Sequence, residues 1–340
     1  MKKVFLYYFR RRLPSILILM IALAIMTIII QFQASYVMYG QAENGLRIET
    51  AGQTNPFIYL SVLICVIVTV IPILEFSFKM KRRSVDLYYS LPLKRIKLYI
   101  VKYLLGIIEF AILFIPQWLI SFIYLATIPS VSTIFDMSNY LYFLLAAIGF
   151  GILIYTFETF FFTMGNTLID GILFMALASC FLPTLMNVMY SLILGANTSD
   201  RTFYMRWFFM YSPLFDISGK LYSNMIGGVY GDLNVLGLVL NIALAFLAGL
   251  AFFFINSERN NAELVGDESD TIFGYKLFIP LYMVTSFKLI SSSISALWVV
   301  IGLAGYLLYC VYRKSFRIKR NDIICLGVSV IVGVLIAIFI

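Results

Sequence analysis

Stretches of about 17 or more mostly apolar residues recur from one end of this 340-residue chain to the other, leaving no gap wide enough for an ordinary soluble domain. About 20 such residues cross the hydrocarbon layer of a bilayer. Backbone groups inside that layer must find their hydrogen bonds within the segment, so each stretch is expected to be a helix. Read this way, the chain has spans at about 14–31, 57–75, 98–125, 140–162, 168–194, 234–255, 275–290, 294–312 and 323–340. Composition agrees: 62% of residues are hydrophobic and 12% charged, against roughly 25% charged in soluble domains. The expected fold class is an all-α polytopic membrane protein. Arg10, Arg11 and Arg12 precede the first span and no small-residue cleavage site follows a short apolar core, so it is read as a retained signal anchor.

Charge placement gives an orientation. With the N-terminus in the cytosol, every one of the 25 Lys and Arg residues except Arg47, Arg201, Arg206, Lys220 and Lys288 falls on a cytosolic segment or span end. The net charge of +8 then needs no nucleic-acid partner, because anionic inner-leaflet lipid accounts for it. Several chemistries are excluded. The chain has no histidine, which removes imidazole bases, triads and histidine zinc sites. Its four cysteines (Cys65, Cys180, Cys310 and Cys325) sit singly in apolar spans and read as small buried hydrophobes. It also lacks a G-x-x-x-x-G-K-[ST] phosphate loop, so an ATPase, if one is needed, is another polypeptide. No enzymatic activity is expected of this chain.

The loop KMKRRSVDLYYSLPLKRIK, residues 79–97, carries the strongest local signal. Inside its basic flanks, 84–92 reads as a short helix with Ser84 as N-cap, Asp86 near the positive dipole end and Pro92 as terminator. Val85, Tyr88 and Tyr89 share one face of it. The expected partner contacts are Asp86, Tyr88, Ser90 and Leu91, with Arg82, Arg83 and Arg95 around the rim.

The run DLYYSLPLKRIKLYIVKYLLG (86–106), with SERNNAEL (257–264) and YRKSFRIKRND (312–322), resembles permease subunits of type V ABC exporters of Gram-positive bacteria. The resemblance implies a six-helix core over 14–256, multi-pass in the plasma membrane, whose coupling helix at 84–92 docks on a separate cytoplasmic ABC ATPase. That ATPase would bind ATP and magnesium, so this chain needs no cofactor of its own. It also implies a second permease, identical or homologous, and an outer re-entrant segment at 201–225. The acidic stretch 257–274 becomes a cytoplasmic linker, and 275–340 a three-span extension beyond the usual core. Residues 1–13 read as an amphipathic interfacial helix, with Phe5, Tyr8 and Phe9 on one face, before a turn at Pro14.

Two further elements stand out. Glu109 lies eleven residues into the third span, roughly 16 Å deep at 1.5 Å per residue. An ionised side chain there costs about 2.5–3.5 kcal/mol, so Glu109 should face protein or water. Lys102, two turns away, is its expected compensating charge. It reads either as part of a translocation path with Gln117, beside the kinking Pro116, or as a neutral structural group. The loop 195–233 is rich in aromatics; Trp207, Phe208, Phe209 and Pro213 are its expected outer-gate residues. An ABC exporter permease moving an amphipathic peptide or lipophilic cell-envelope substrate is the leading reading. An ATP-independent secondary transporter or channel is the alternative, and a membrane-embedded enzyme or signalling scaffold is a third.

Overall fold

The computed structural model describes residues 2–34, 56–90, 94–127, 137–179, 212–225, 235–259, 262–272, 274–290 and 296–339. Among them every regular element is helical: α1 (Lys2–Ala34), α2 (Pro56–Phe76), α3 (Arg82–Tyr89), α4 (Arg95–Thr127), α5 (Met137–Met164), α6 (Leu168–Ser179), α7 (Ser212–Met225), α8 (Val235–Ala251), α9 (Tyr275–Ile290), α10 (Ala296–Arg313) and α11 (Arg320–Phe339). Five helical stretches are long and apolar enough to cross a membrane: Val4–Gln31, Phe57–Met80, Arg95–Tyr124, Ser138–Met164 and Leu238–Arg259. The chain is therefore an all-α membrane protein. Leu168–Ser179, Tyr275–Val284 and Val299–Arg313 are shorter apolar helices.

Two compact units are present. One is Met1–Glu75, Lys97–Thr156 and Pro213–Ala245; the other is Phe76–Ile96, Phe157–Ser212 and Phe246–Ile340.

In the first unit α1 corrects the expected break between residues 13 and 14, because one helix runs through Pro14. Ties on both sides of the proline account for it. Ser15 Oγ donates to the Arg12 carbonyl at 2.7 Å, and the Arg12 guanidinium reaches the Leu74 carbonyl and the Glu75 carboxylate. These contacts hold the segment before the proline in register and offset the backbone donor that its ring removes. Further along, Phe57 packs on Tyr140 and Phe143 with ring centroids 4.9 and 5.1 Å apart. Two glycines allow side chains to lie on a bare helix backbone. A Cβ at Gly106 would come within 2.1 Å of the Tyr155 hydroxyl oxygen, and one at Gly151 within 2.3 Å of Phe110 Cζ. Small residues at helix interfaces serve this purpose in membranes, where the aqueous hydrophobic effect is absent.

In the second unit the C-terminal end of α5 is capped by side chains. Lys79 donates to the Thr163 carbonyl, Arg259 Nη1 to the Met164 carbonyl at 3.3 Å, and Asn256 Nδ2 to the Phe160 carbonyl at 3.0 Å. The last carbonyls of a helix have no partner within it, and cations suit its negative dipole end. A π-helical turn at Phe252–Asn256 accompanies this cap, with Phe252 and Asn256 both buried. At the other end of the sequence Met283 and Ile301, packed with Tyr282, Val330 and Val334, form the core of α9, α10 and α11.

Candidate functional site

The helix at the head of the basic loop is present, but it starts two residues before the expected Ser84. Lys81 is its N-cap, without a side-chain cap bond, and its carbonyl accepts from the N–H groups of Ser84 and Val85 at 2.9 and 3.0 Å. The 3₁₀ turn Ser77–Met80 delivers the chain directly into that first turn, which puts Ser84 inside the helix. At the other end Ser90 caps α3, its N–H donating to the Asp86 carbonyl at 3.0 Å. Leu91 and Pro92 lie outside the described residues.

The 3.6-residue period divides α3 into two faces. Val85 is buried, and Tyr88 is half-buried with its ring centroid 4.4 Å from that of Phe78. Tyr88 therefore seats the helix. Arg82, Arg83, Asp86, Leu87 and Ser90 are exposed, and Leu87, at 65%, is the apolar residue on the free face. Sequence reasoning passed over Leu87, although the shared face of Val85, Tyr88 and Tyr89 leaves 87 on the opposite side. Arg95 Cζ lies 4.5 Å over the Tyr89 ring, and its guanidinium donates to the Glu258 carbonyl at 3.2 Å.

Behind α3 the acidic stretch 262–272 is folded and hydrogen-bonded. Arg82 Nε donates to the Val265 carbonyl at 3.3 Å. Asn166 Nδ2 donates to the Glu268 carbonyl at 3.0 Å, and its backbone N–H to Ser269 Oγ at 2.9 Å. Asp170 accepts from Ser269 Oγ at 2.6 Å and from the Tyr275 hydroxyl at 2.7 Å. From the C-terminal side, Lys314 donates to the Gly266 and Asp267 carbonyls. Arg313 bonds Glu268 at 2.8 Å and forks onto Asp322 at 2.6 and 2.8 Å. Asp270 accepts from the Tyr312 hydroxyl at 2.6 Å and from the Lys276 ammonium, and these groups hold its carboxyl below the usual carboxylate range. Residues of α3, of the 166–170 turn, of 265–275 and of 312–322 thus meet in one hydrogen-bonded hub.

The first unit holds a second polar assembly. Glu75 is buried; Lys102 Nζ lies 2.8 Å from its Oε2 and Arg12 Nε 3.2 Å from its Oε1. Lys102 spends its charge on Glu75 as well as acting through space on Glu109, and its Nζ sits 4.5 Å over the Tyr8 ring. Glu109 is buried beside Glu75, its Oε1 without a hydrogen bond among the described residues. Two cations and two carboxyls make a formally neutral quartet, which is what allows such groups to be buried together. Gln117 lies in a separate seam. Its Oε1 is 2.9 Å from Thr27 Oγ1, which is also 2.9 Å from the Tyr59 hydroxyl, and its Nε2 donates to the Met20 carbonyl at 3.2 Å. Next to it Gln31 Nε2 donates to Ser121 Oγ at 3.1 Å. Glu109 and Gln117 therefore have different neighbours.

Of the expected outer gate, Trp207, Phe208 and Phe209 lie outside the described residues, and Pro213 is buried in the first turn of α7. Among the described residues, no group of three or more His, Cys, Asp and Glu is placed to hold a metal. No family model matches the sequence, and neither a curated protein nor a solved structure matches it.

Proposed function

We propose that this chain is the membrane-spanning permease of an ATP-driven exporter of the type V ABC kind, with a six-span core and three C-terminal helices. In this reading it sits in the plasma membrane with the N-terminus in the cytosol, and a separate ATPase binds ATP and magnesium. Its second permease is identical or homologous, and its cargo is an amphipathic peptide or a lipophilic cell-envelope molecule. The observation that carries the reading is α3: a short helix seated from behind by Val85 and Tyr88, with Arg82, Arg83, Asp86, Leu87 and Ser90 left exposed. An apolar residue among charges on a braced helix suits docking into a groove on a soluble partner.

The decisive measurement is co-purification of a nucleotide-binding protein with the wild-type chain and with Leu87→Asp. The wild-type chain should retain an ATPase whose hydrolysis responds to this subunit. Leu87→Asp, whose altered side chain is already in solvent, should melt as the wild type does and release that ATPase. If no nucleotide-binding protein co-purifies with the wild-type chain, the reading fails.

One observation favours a second reading. The buried Arg12–Glu75–Lys102–Glu109 quartet is the kind of intramembrane charge group that ion-coupled secondary transporters use. Uptake or efflux driven by an imposed proton gradient, without ATP, would select that alternative.

A further inference from the structure

The turn between α10 and α11 presents Phe316 to the outside at 81% exposure. That exposure is built into the fold. The Ser315 N–H donates to the Cys310 carbonyl and the Lys314 N–H to the Val311 carbonyl, both at 3.2 Å. This is the crossed pair of bonds that closes a helix with a left-handed residue, usually glycine, just past its end. Here that residue is Lys314, with φ of 50°. A lysine in this conformation is strained, because its Cβ crowds the following carbonyl oxygen. Its ammonium is held at the Gly266 and Asp267 carbonyls, which fixes it there. Ser315 Oγ donates to the Arg317 carbonyl at 3.0 Å, and the Tyr306 hydroxyl to the Phe316 carbonyl at 3.1 Å. The backbone around Phe316 is tied on both sides while its ring is left uncovered.

The surroundings say what covers the ring. Val299, Leu303, Leu307 and Val311 are exposed at four-residue intervals, an apolar stripe along α10 that ends at the turn. Ile324, Val328, Ile331 and Leu335 are exposed along α11. Past the ring come Arg317 and Arg320, both exposed and in no ion pair among the described residues, and Lys319, whose side chain is 63% exposed and whose Nζ lies a loose 3.6 Å from Glu268 Oε2. The order is apolar stripe, aromatic, cations, the same as the order of acyl chain, interface and phosphate in a leaflet. We propose that residues 314–320 are a binding site for an anionic phospholipid, with Phe316 at the acyl boundary and Arg317, Lys319 and Arg320 on the headgroup phosphate. This rests on α10 and α11 spanning the membrane, as the permease reading holds, but it does not depend on an ATPase. Charge selects the ligand: three exposed cations within four residues favour a phospholipid of net negative charge over a zwitterionic one, by about five-fold per cation.

The test uses the full-length chain with its four cysteines replaced by alanine and a spin label at a cysteine substituted for Phe316. It is reconstituted in phosphatidylcholine vesicles with and without phosphatidylglycerol. The expected result is collision with dissolved oxygen rather than an aqueous nickel chelate, with the contrast growing as phosphatidylglycerol is added. Arg317→Gln with Arg320→Gln should remove that growth and should lower, by more than ten-fold, the phosphatidylglycerol retained in native mass spectrometry. Free access of the nickel chelate to the label in phosphatidylglycerol vesicles would overturn the proposal. Protection that arises only when a soluble protein binds would overturn it as well, and would make the turn a protein-docking surface. Failure of the permease reading registers separately, as a missing ATPase with the label still in lipid.

Discussion

The ammonium of Lys79 donates to the carbonyl of Thr163, and Lys79 is only 2% exposed. In the sequence this lysine counts as one more cation marking the cytosolic side. In the fold it is a cap, set with Arg259 and Asn256 around the last carbonyls of α5. A methionine could fill the same volume but could not donate.

Lys79→Met should therefore lower stability by about 1–3 kcal/mol, the cost of a buried acceptor left without its donor. Arg259→Met should lower it less, since the Arg259 side chain is partly exposed and its bond to Met164 is longer. Thermal unfolding in detergent gives both values. Equal, near-zero losses would show that water replaces these donors.

The Lys102 ammonium meets Glu75 directly, and Glu75 also takes the Arg12 guanidinium. Glu75→Gln takes the carboxylate from buried Lys102 and should cost about 3 kcal/mol. Glu109→Gln should cost clearly less, because neither cation bonds Glu109 directly. A double variant, Glu75→Gln with Lys102→Met, should recover much of the loss. Melting curves of the three variants decide this, and a larger loss for Glu109→Gln than for Glu75→Gln would contradict the assignment of pairs.

Gly106→Ala puts a methyl group where Tyr155 already lies, with Ile71 at 3.0 Å on another side. The ring would have to move, and destabilisation of about 1–3 kcal/mol is expected. Adding Tyr155→Phe removes the colliding oxygen and should restore part of it. Thermal melting of the single and double variants tests this.

Asp270 gives a pH dependence of definite sign. Its carboxyl is held below the usual range by Lys276 and Tyr312, so its contribution is present above about pH 4 and is lost as pH falls through the lower folded value. Asp270 is largely exposed, so the effect should stay under about 1 kcal/mol. Unfolding of wild type and Asp270→Asn should differ at pH 7 and draw together as pH falls below about 4; a constant difference would exclude the carboxylate as its source.

The helical architecture was legible because a long apolar run in a bilayer has few alternatives. The span expected at 275–290 coincides with α9, and that at 57–75 lies within one residue of α2 at each end. The start of α3 was misjudged because Ser84 is a good cap by type, while the preceding 3₁₀ turn had already set the entry two residues earlier. In the sequence Glu75 is simply the last residue of the span expected at 57–75. Nothing local shows that Lys102, 27 residues on, and Arg12, 63 residues before, converge on it. The hub was invisible for the same reason: Asn166, Asp170 and Ser269 are ordinary polar residues until tertiary contacts join them.

The bidentate pair between Arg313 and Asp322 has a consequence for how the chain is made. Asp322 emerges from the ribosome after every other segment of the hub, so Arg313 has Glu268 but not its forked partner until α11 begins to form. Until then Glu268 and the carbonyls of Gly266 and Asp267, gripped by Arg313 and Lys314, rest on an unfinished support. The face behind α3 thus matures last in biosynthesis. A nascent chain released before residue 322 carries a poorly braced α3 and an arginine that lacks two of its three carboxylate bonds.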